Sequence, residues 1–354
     1  ADIAEVKKYC ETVIVVERKK QWSFPNVLRT GFSPFPFLLV GHTNDEMRKA
    51  VALLLNQKPF DVVHVETFYV MQNLVDTHVP VVLVEHNIEY LVYKRYTQRA
   101  SLILRPLLYF DVIKLKYWEE VFWGKETKLV AVSEEEKKLM ERDDVELVDN
   151  GVDLERFKMK DLPAGKAGLE LKNEQKEKRI LFIGDFKWIQ NRDAAEWILK
   201  EIWPILKSKI EAKLWIVGRQ IPDEIKKLTS DENVMFDEHA PKETSEIFAK
   251  ADVLLALIRV GGGTSFKILE AMASGVPVIT TPLGIEGIDA KNNKEVLIAD
   301  RAEDIVKVVV SLLENHELNQ KIVQNARRLI EEKYDWKIIV KKLEEIYDSA
   351  VKYG

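Results

Sequence analysis

The fold of this chain is decided by one stretch, Arg259-Val-Gly-Gly-Gly-Thr-Ser-Phe-Lys-Ile-Leu-Glu-Ala-Met-Ala-Ser-Gly-Val-Pro-Val-Ile-Thr-Thr-Pro-Leu-Gly284. The apolar run 252–258 predicts a buried strand, and the glycines at 261–263 let the backbone turn sharply where that strand ends. A helix is predicted over 266–274, ended by a left-handed cap at Gly275, and a second strand over 276–280. This order of strand, glycine turn, helix and strand is typical of a nucleotide-binding α/β unit.

The glycine turn is a candidate anion site. The backbone amides near Gly263, Thr264 and Ser265 can converge on a phosphate, and the positive end of the following helix dipole attracts negative charge. Lys267 adds a full positive charge, and Glu270 lies within the first turns of the same helix. The alternative is a tight strand-to-helix turn that binds nothing, so the interpretation depends on the rest of the chain.

The same alternation of strands and helices runs through the whole sequence and predicts parallel sheets covered by helices. The predicted strands of the first half are 12–16, 61–65, 79–85, 128–132 and 145–148, and those of the second half are 179–183, 212–217, 233–236, 252–257 and 276–280.

A polar stretch at 159–178 separates the two halves and contains Pro163, Gly165 and Gly168, which predicts a linker. We therefore predict an amino-terminal domain over 1–158, a carboxyl-terminal domain over 179–333 and a final helix within 334–354.

Composition agrees with a soluble enzyme. A chain of 354 residues is long enough for two α/β domains, and 46% hydrophobic with 31% charged residues excludes a disordered polymer. The net charge of -5 gives no reason to expect nucleic acid as a partner. Cys10 is the single cysteine, which excludes an internal disulfide and predicts a cytoplasmic location. The many Lys, Glu and Ile residues indicate a thermophilic source.

The stretch 259–284 resembles the carboxyl-terminal signature of family 4 (group 1) glycosyltransferases, in which a glycine-rich loop precedes a helix carrying Glu-Ala-Met. The resemblance implies the GT-B fold, an α/β architecture of two Rossmann-like domains that face a cleft. It also implies that Glu270 binds the ribose hydroxyls of a nucleotide sugar. The diphosphate would be bound by the loop Gly262, Gly263, Thr264, Ser265 and Phe266. This chain departs from the family at Gly262, where many members have a glutamate that touches the sugar.

Further strings extend the resemblance over nearly the whole chain, and the final helix within 334–354 resembles the family's segment that crosses back to the amino-terminal domain. Leu181-Phe-Ile-Gly-Asp-Phe-Lys-Trp-Ile-Gln-Asn191 resembles the first strand and loop of the nucleotide domain. The resemblance implies that Gly184 permits close approach and that Lys187 or Arg192 neutralises phosphate. Trp215-Ile-Val-Gly-Arg219 resembles the next strand end, and Phe236-Asp-Glu-His239 a stretch that lines the base pocket, with Glu238 in place of the usual glycine. A solvated surface role is the alternative for the basic side chains.

Two polar side chains have local structural roles in this interpretation. Asn191 is predicted as the N-cap of a helix over 193–200, and Ser133 as the N-cap of the helix that follows it.

His86 ends the apolar run Val81-Val-Leu-Val-Glu-His86, at the edge where open α/β sheets bind ligands. The resemblance implies that it faces the transferred sugar, and the alternative is a structural histidine. His64 is predicted to be packed or hydrogen-bonded within the sheet. For Glu66 and Glu89, exposed rim carboxylates are favoured over contacts with an acceptor hydroxyl.

The segment 95–123 mixes Arg and Lys with Leu, Tyr and Trp. It predicts either a pair of core-packed helices or a peripheral contact with a membrane that carries a lipid-linked acceptor. No apolar run reaches the length of about 18 residues that suggests a transmembrane helix.

The first residues of the chain resemble the helix that follows the opening elements of the family. A strand, a second glycine-rich loop, a helix and another strand are therefore expected upstream of Ala1 in the family pattern.

The activity implied by the resemblance is a retaining transfer of a sugar from a UDP- or GDP-linked donor to a hydroxyl of a carbohydrate or lipid-linked acceptor. Lys267 and His86 are the catalytic candidates. Loop amides and Lys267 would stabilise the departing diphosphate, so neither a metal nor a further cofactor is expected. Two alternatives remain open: a sugar-nucleotide epimerase, which would need acid and base carboxylates, and a catalytically degenerate sugar-nucleotide binder.

Overall fold

The computed structural model describes residues 3–18, 20–159, 177–241, 243–261 and 263–353. The chain divides into two compact units. The first unit comprises 1–131, 137–147 and 344–354, and the second unit comprises 132–136 and 148–343. Most of the predicted linker 159–178 lies outside the described residues.

The first unit contains a parallel sheet of four strands, β1 (Val63–Glu66), β2 (Val81–Glu85), β3 (Lys128–Ala131) and β4 (Val145–Leu147), in the order β1-β2-β3-β4. All five residues of β2 are buried, as expected for an apolar strand covered on both faces. The helices of this part of the chain are Ile3–Val6, Phe24–Phe32, Phe37–His42, Asp45–Gln57, Glu89–Arg99, Arg105–Phe122 and Glu134–Leu139, with a 3-10 helix at Phe68–Asn73.

The strand predicted at 12–16 was wrong, because residues 12–18 have no regular secondary structure. Ile14 and Val15 are largely exposed. A β-branched sequence favours a strand only when a neighbouring strand and a packed face are available, and this segment pairs with neither sheet of the described chain.

The predicted N-cap role of Ser133 is confirmed. Its hydroxyl accepts a hydrogen bond from the backbone N–H of Glu136 at 3.2 Å, so it caps the helix Glu134–Leu139.

The second unit contains a parallel sheet of six strands in the order β10-β9-β8-β5-β6-β7. The strands are β5 (Lys178–Ile183), β6 (Ala212–Val217), β7 (Val234–Asp237), β8 (Val253–Ala256), β9 (Val278–Thr280) and β10 (Leu297–Ile298). The chain passes from β5 to β6 on one side, while β8 lies on the other side of β5. This reversal of strand order creates a crevice beyond the carboxyl ends of β5 and β8, where open α/β sheets bind ligands.

The helix Phe266–Ala273 agrees with its prediction. Ile268, Leu269, Met272 and Ala273 are fully buried, and Gly275 has φ +71, the left-handed conformation expected of a C-terminal cap. The other helices of this unit are Ile189–Trp197, Trp203–Leu206, Asp223–Lys226, Thr244–Phe248, Ala302–Glu314 and His316–Leu329, with π-helical turns at Ile198–Ile202 and Ile330–Tyr334. The last helix, Trp336–Tyr353, has residues 336–343 in the second unit and the rest in the first.

Candidate functional site

Two cavities lie at the carboxyl ends of the strands of the second unit. Cavity A has a volume of about 790 Å³ and is lined by residues that follow β5, β6 and β7, among them Arg219 and Glu238. Cavity B has a volume of about 260 Å³ and is lined by residues that follow β5 and β8, including the end of the glycine turn. Gly184, Asp185 and Lys267 line both cavities, which are therefore neighbouring parts of one site at the reversal of strand order.

Lys267 is the cation that lines both cavities. It lies in the first turn of the helix Phe266–Ala273, and its ammonium donates to the carbonyl oxygen of Ile183 at 2.6 Å and to Oδ1 of Asn191 at 2.9 Å. Burial lowers the pKa of Lys267 to about 8, against the opposing charge of Glu270. The side chain is therefore mostly protonated at neutral pH. The ammonium also lies over the Phe182 ring, 5.3 Å from its centroid, and two of its three N–H donors are used by the two oxygen acceptors.

Asn191 has a different role from the predicted one. It lies inside the helix Ile189–Trp197, whose N-cap is Trp188, so the predicted N-cap function of Asn191 was wrong. Its buried amide donates to the carbonyl oxygen of Asp185 at 2.8 Å and accepts from Lys267. Asn191 is buried, and these two hydrogen bonds give its side-chain amide the partners that a buried polar group requires.

Gly184 is held against Asn191. A Cβ atom added at Gly184 would lie 2.5 Å from Cγ of Asn191, closer than a real contact allows. Gly184 is thus packed against a side chain of the protein, and it also lines both cavities, while its predicted close approach to the donor stays a prediction.

The glycine turn has the backbone conformation that its sequence predicts. Gly261 has φ +106 and Gly263 has φ +84, a region that favours glycine, while Gly262 lies outside the described residues. Gly263, Thr264, Ser265 and Phe266 all line cavity B. Ser265 is the N-cap of the helix and makes no capping bond through its side chain, so cavity B lies at a helix N-terminus that the Ser265 hydroxyl does not cap.

Glu270 lines cavity A, one helical turn beyond Lys267. Burial raises the pKa of its carboxyl group, and the nearby charge of Arg156 opposes this shift. A half-buried carboxyl group of this kind can accept hydrogen bonds from ligand hydroxyls.

The remaining predicted donor residues separate into two groups. Arg219 lines cavity A, whereas Lys187 and His239 are exposed and line neither cavity. Lys187 instead has its ammonium over the Trp188 ring, 5.6 Å from the centroid. Glu238, the neighbour of His239, accepts from the backbone N–H of Ile221 at 3.0 Å and pairs with Lys226, which holds the pKa of Glu238 below its usual range.

The first unit contains a separate polar cluster at the carboxyl ends of β1 and β2. Glu66 accepts from Nε2 of His86 and from Nε2 of His64, the latter at 2.7 Å. Burial alone would raise the pKa of Glu66, but the hydrogen bonds from the two histidines lower it to about 2. His64 in turn contacts the Tyr347 hydroxyl through Nδ1 at 2.6 Å, which agrees with its predicted hydrogen-bonded role. No sequence signal connected Tyr347 to this cluster.

Glu89 lies at the start of the helix Glu89–Arg99, and burial raises its pKa to about 7 while the charge of His86 opposes the shift. The buried carboxylate of Glu119 accepts from the backbone N–H groups of Glu89 at 2.7 Å and Tyr90 at 3.0 Å. Glu119 therefore satisfies the free amides at the start of this helix.

Across the described part of the chain, no helix combines the length and the apolarity needed to cross a membrane.

Two family models match the chain. The model described as Glycosyltransferase Family 4 matches residues 8–156, and the model described as Glycosyl transferases group 1 matches residues 177–315.

Among curated proteins, an uncharacterized glycosyltransferase of Methanocaldococcus jannaschii is 26% identical over 215 residues, which cover 54% of this chain and 54% of that protein. The chain thus spans about half the length of this relative. An uncharacterized 44.6 kDa protein from the cps region of Klebsiella pneumoniae is 24% identical over 295 residues, covering 80% of this chain and 73% of that protein.

Solved structures share the fold at low sequence identity. Sucrose-phosphate synthase of Thermosynechococcus elongatus has a TM-score of 0.66 at 15% identity, covering 87% of this chain and 78% of that chain. HepE of Anabaena, in complex with UDP and glucose, has a TM-score of 0.65 at 14% identity, covering 98% of this chain and 88% of that chain.

Proposed function

Because the chain belongs to the family 4 (group 1) glycosyltransferases and has their GT-B fold, we propose that it is a retaining hexosyltransferase. The proposed donor is a UDP- or GDP-linked sugar, and the proposed acceptor is a hydroxyl of a glycan, polysaccharide or glycolipid. A cytoplasmic location is part of the proposal and is supported by the exposed, unpaired Cys10.

One observation carries the proposal. At the reversal of strand order, the Lys267 ammonium, the N-terminus of its helix and the Glu270 carboxyl group line two neighbouring cavities. Cavity B offers the positive charge and helix dipole that a diphosphate requires. Cavity A is large enough for a nucleoside and offers Glu270 as an acceptor for ribose hydroxyls.

In the proposed reaction, the bond between the anomeric carbon and the diphosphate oxygen breaks while the acceptor oxygen bonds to the same face of the sugar. The acceptor's proton passes to the departing diphosphate. The diphosphate gains negative charge in the transition state, so a cation already fixed in place stabilises it. Lys267 is fixed by Ile183 and Asn191, which supports this role without a metal ion.

His86 is proposed to contact the transferred sugar. Its hydrogen bond to Glu66 fixes the orientation of the imidazole ring, which supports a positioned contact. The HepE neighbour has been solved in complex with UDP-glucose, so a uridine donor is the first to test.

The test is product analysis. The chain is incubated with UDP-linked and GDP-linked hexoses and a panel of sugar and lipid-linked acceptors, and released nucleotide and products are measured by mass spectrometry and NMR. We expect a glycoside with the anomeric configuration of the donor. Inverted configuration would contradict the retaining mechanism, an isomerised nucleotide sugar would indicate an epimerase, and binding without turnover would indicate a degenerate binder. Lys267→Met should abolish release, whereas the exposed control Lys250→Met should not.

A further inference from the structure

The helix Arg105–Phe122 exposes an apolar stripe. Val112, Leu115 and Phe122 lie on its buried side. Its opposite side carries large apolar residues at intervals of three or four, which places them on one helical face. The turn that precedes the helix adds further exposed apolar residues, and Ile103 in this turn is 90% exposed. The members that are more than half exposed are Leu102, Ile103, Leu104, Leu107, Phe110, Ile113 and Tyr117.

The helix Phe24–Phe32 lies beside this stripe. The Lys114 ammonium donates to the carbonyl oxygens of Thr30 at 2.7 Å and Ser33 at 2.8 Å, and lies 4.7 Å from the centre of the Phe110 ring. This helix buries none of its own residues, and Phe32 is 91% exposed. Other large apolar side chains in and next to it are also exposed, namely Trp22, Phe24, Val27 and Leu28. The end of the helix Glu89–Arg99 adjoins them, because the Gln98 carbonyl oxygen accepts from the Arg105 guanidinium at 2.6 Å. We call the first two helices, their preceding turns and this adjoining helix end, residues 94–99, the apolar–basic face.

The charge of this face is opposite to that of the whole chain. The net charge of the chain is -5, yet the face contains the cations Lys94, Arg95, Arg105, Lys114 and Lys116 against the acids Asp111, Glu119 and Glu120. Glu119 is fully buried, and Glu120 pairs with Lys116 at 3.6 Å. The helix Phe24–Phe32 adds Arg29, and Lys20 precedes it, with no acid in either segment. The Asp111 carboxylate also accepts a hydrogen bond from the backbone N–H of Phe37 at 3.0 Å, so this acid has a structural role.

We propose that the apolar–basic face docks onto the surface of a lipid bilayer that contains anionic headgroups. The apolar stripe would enter the boundary between headgroups and acyl chains, and the surrounding cations would attract the anionic headgroups. A second copy of the chain fits less well, because a symmetric dimer would bring two faces of net positive charge together. The proposal is independent of the transferase activity.

The experiment measures binding to vesicles by flotation, with pure phosphatidylcholine compared with an equal mixture of phosphatidylcholine and phosphatidylglycerol. We expect binding to the anionic vesicles that weakens as salt is raised, since surface charges are screened. Phe110→Glu combined with Ile113→Glu should weaken binding on the order of tenfold or more, because it removes two apolar side chains and adds two negative charges. Leu53→Glu, an exposed apolar position on the helix Asp45–Gln57, is the matched control and should leave binding unchanged.

A second variant keeps the test valid if the first fails to fold. Lys94→Glu with Arg29→Glu changes two exposed cations and should reduce the preference for anionic over neutral vesicles. Circular dichroism establishes that each variant is folded, and light scattering gives the oligomeric state without vesicles. Equal binding of wild type and both folded variants would overturn the proposal. So would a dimer that the Phe110 and Ile113 substitutions dissociate, because it would assign the face to a second copy of the chain.

Discussion

Gly184→Ala is the sharpest perturbation of the contacts that hold Lys267. The new Cβ would lie 2.5 Å from Cγ, 2.6 Å from Oδ1 and 2.8 Å from Nδ2 of Asn191. Asn191 is buried and engaged by Asp185 and Lys267, so it cannot move away without losing hydrogen bonds. Overpacking of this kind costs about 1–3 kcal/mol. The less flexible unfolded chain offsets about 0.4–1 kcal/mol, so we expect a net destabilisation of about 1–2 kcal/mol.

The decisive test is a double-mutant cycle with Asn191→Ala. That substitution alone removes the acceptor of a buried ammonium and should cost about 1.5–3 kcal/mol. In its background the clash is absent, so Gly184→Ala should be neutral or slightly stabilising, which gives a coupling energy of about 2 kcal/mol. Because two units need not unfold together, urea unfolding is followed by hydrogen exchange in peptides that contain β5 and β6. Effects that add to within about 0.5 kcal/mol would refute the described packing of Gly184 on Asn191.

The pKa of Lys267 is about 8 in the free protein and only its protonated form attracts a diphosphate, so affinity for UDP or GDP should fall as pH rises through 8. Calorimetry in buffers of different ionisation enthalpy should detect proton uptake on binding in that range, and Lys267→Met should abolish it. Gly275 has φ +71, so Gly275→Ala should cost about 1–2 kcal/mol of unfolding free energy. As a control, Gly31 lies in the helix Phe24–Phe32 with open space where a Cβ would be, so Gly31→Ala should stabilise the protein by about 0.5–1 kcal/mol. An equal change in unfolding free energy for the two variants would contradict the left-handed cap at Gly275. The pKa of Glu66 is about 2 in the folded chain, below its ordinary value, so its stabilising contribution is present above about pH 4.5 and is lost as pH falls toward 2. Glu66→Gln should reduce the pH dependence of the unfolding free energy in that window. Identical plots of unfolding free energy against pH for wild type and variant would exclude the hydrogen bonds from the two histidines to an ionised Glu66.

The strands that the sequence predicted well are apolar runs buried in the interiors of the sheets. The predicted bounds of β6 coincide with those observed, because its run of apolar residues ends where the strand leaves the core. The strand Leu297–Ile298 was not predicted, because two residues are too few to show a hydrophobic periodicity. The segment 12–16 was wrongly predicted as a strand, because β-branched residues form a strand only where a neighbouring strand pairs with them.

The part of the site that could be predicted consists of residues that are close together in the sequence. The glycine turn, Lys267 and Glu270 lie close together in the chain, so their relation follows from local helix geometry. The acceptor of Lys267 could not be found in this way, because Asn191 lies 76 residues earlier in the chain. Tyr347 and His64 are 283 residues apart, and only the folded chain brings them together.

The central claim is that cavities A and B bind the nucleoside diphosphate of a sugar donor through Lys267 and Glu270, and calorimetric titration with UDP, GDP and ADP tests it most directly. We expect UDP or GDP to bind, with affinity reduced about 10- to 100-fold by Glu270→Ala and by Lys267→Met, since each removes a hydrogen bond to a charged group. The exposed controls Glu303→Ala and Lys250→Met should retain the wild-type affinity. Failure of all three nucleotides to bind, or binding that neither site substitution weakens, would contradict the claim.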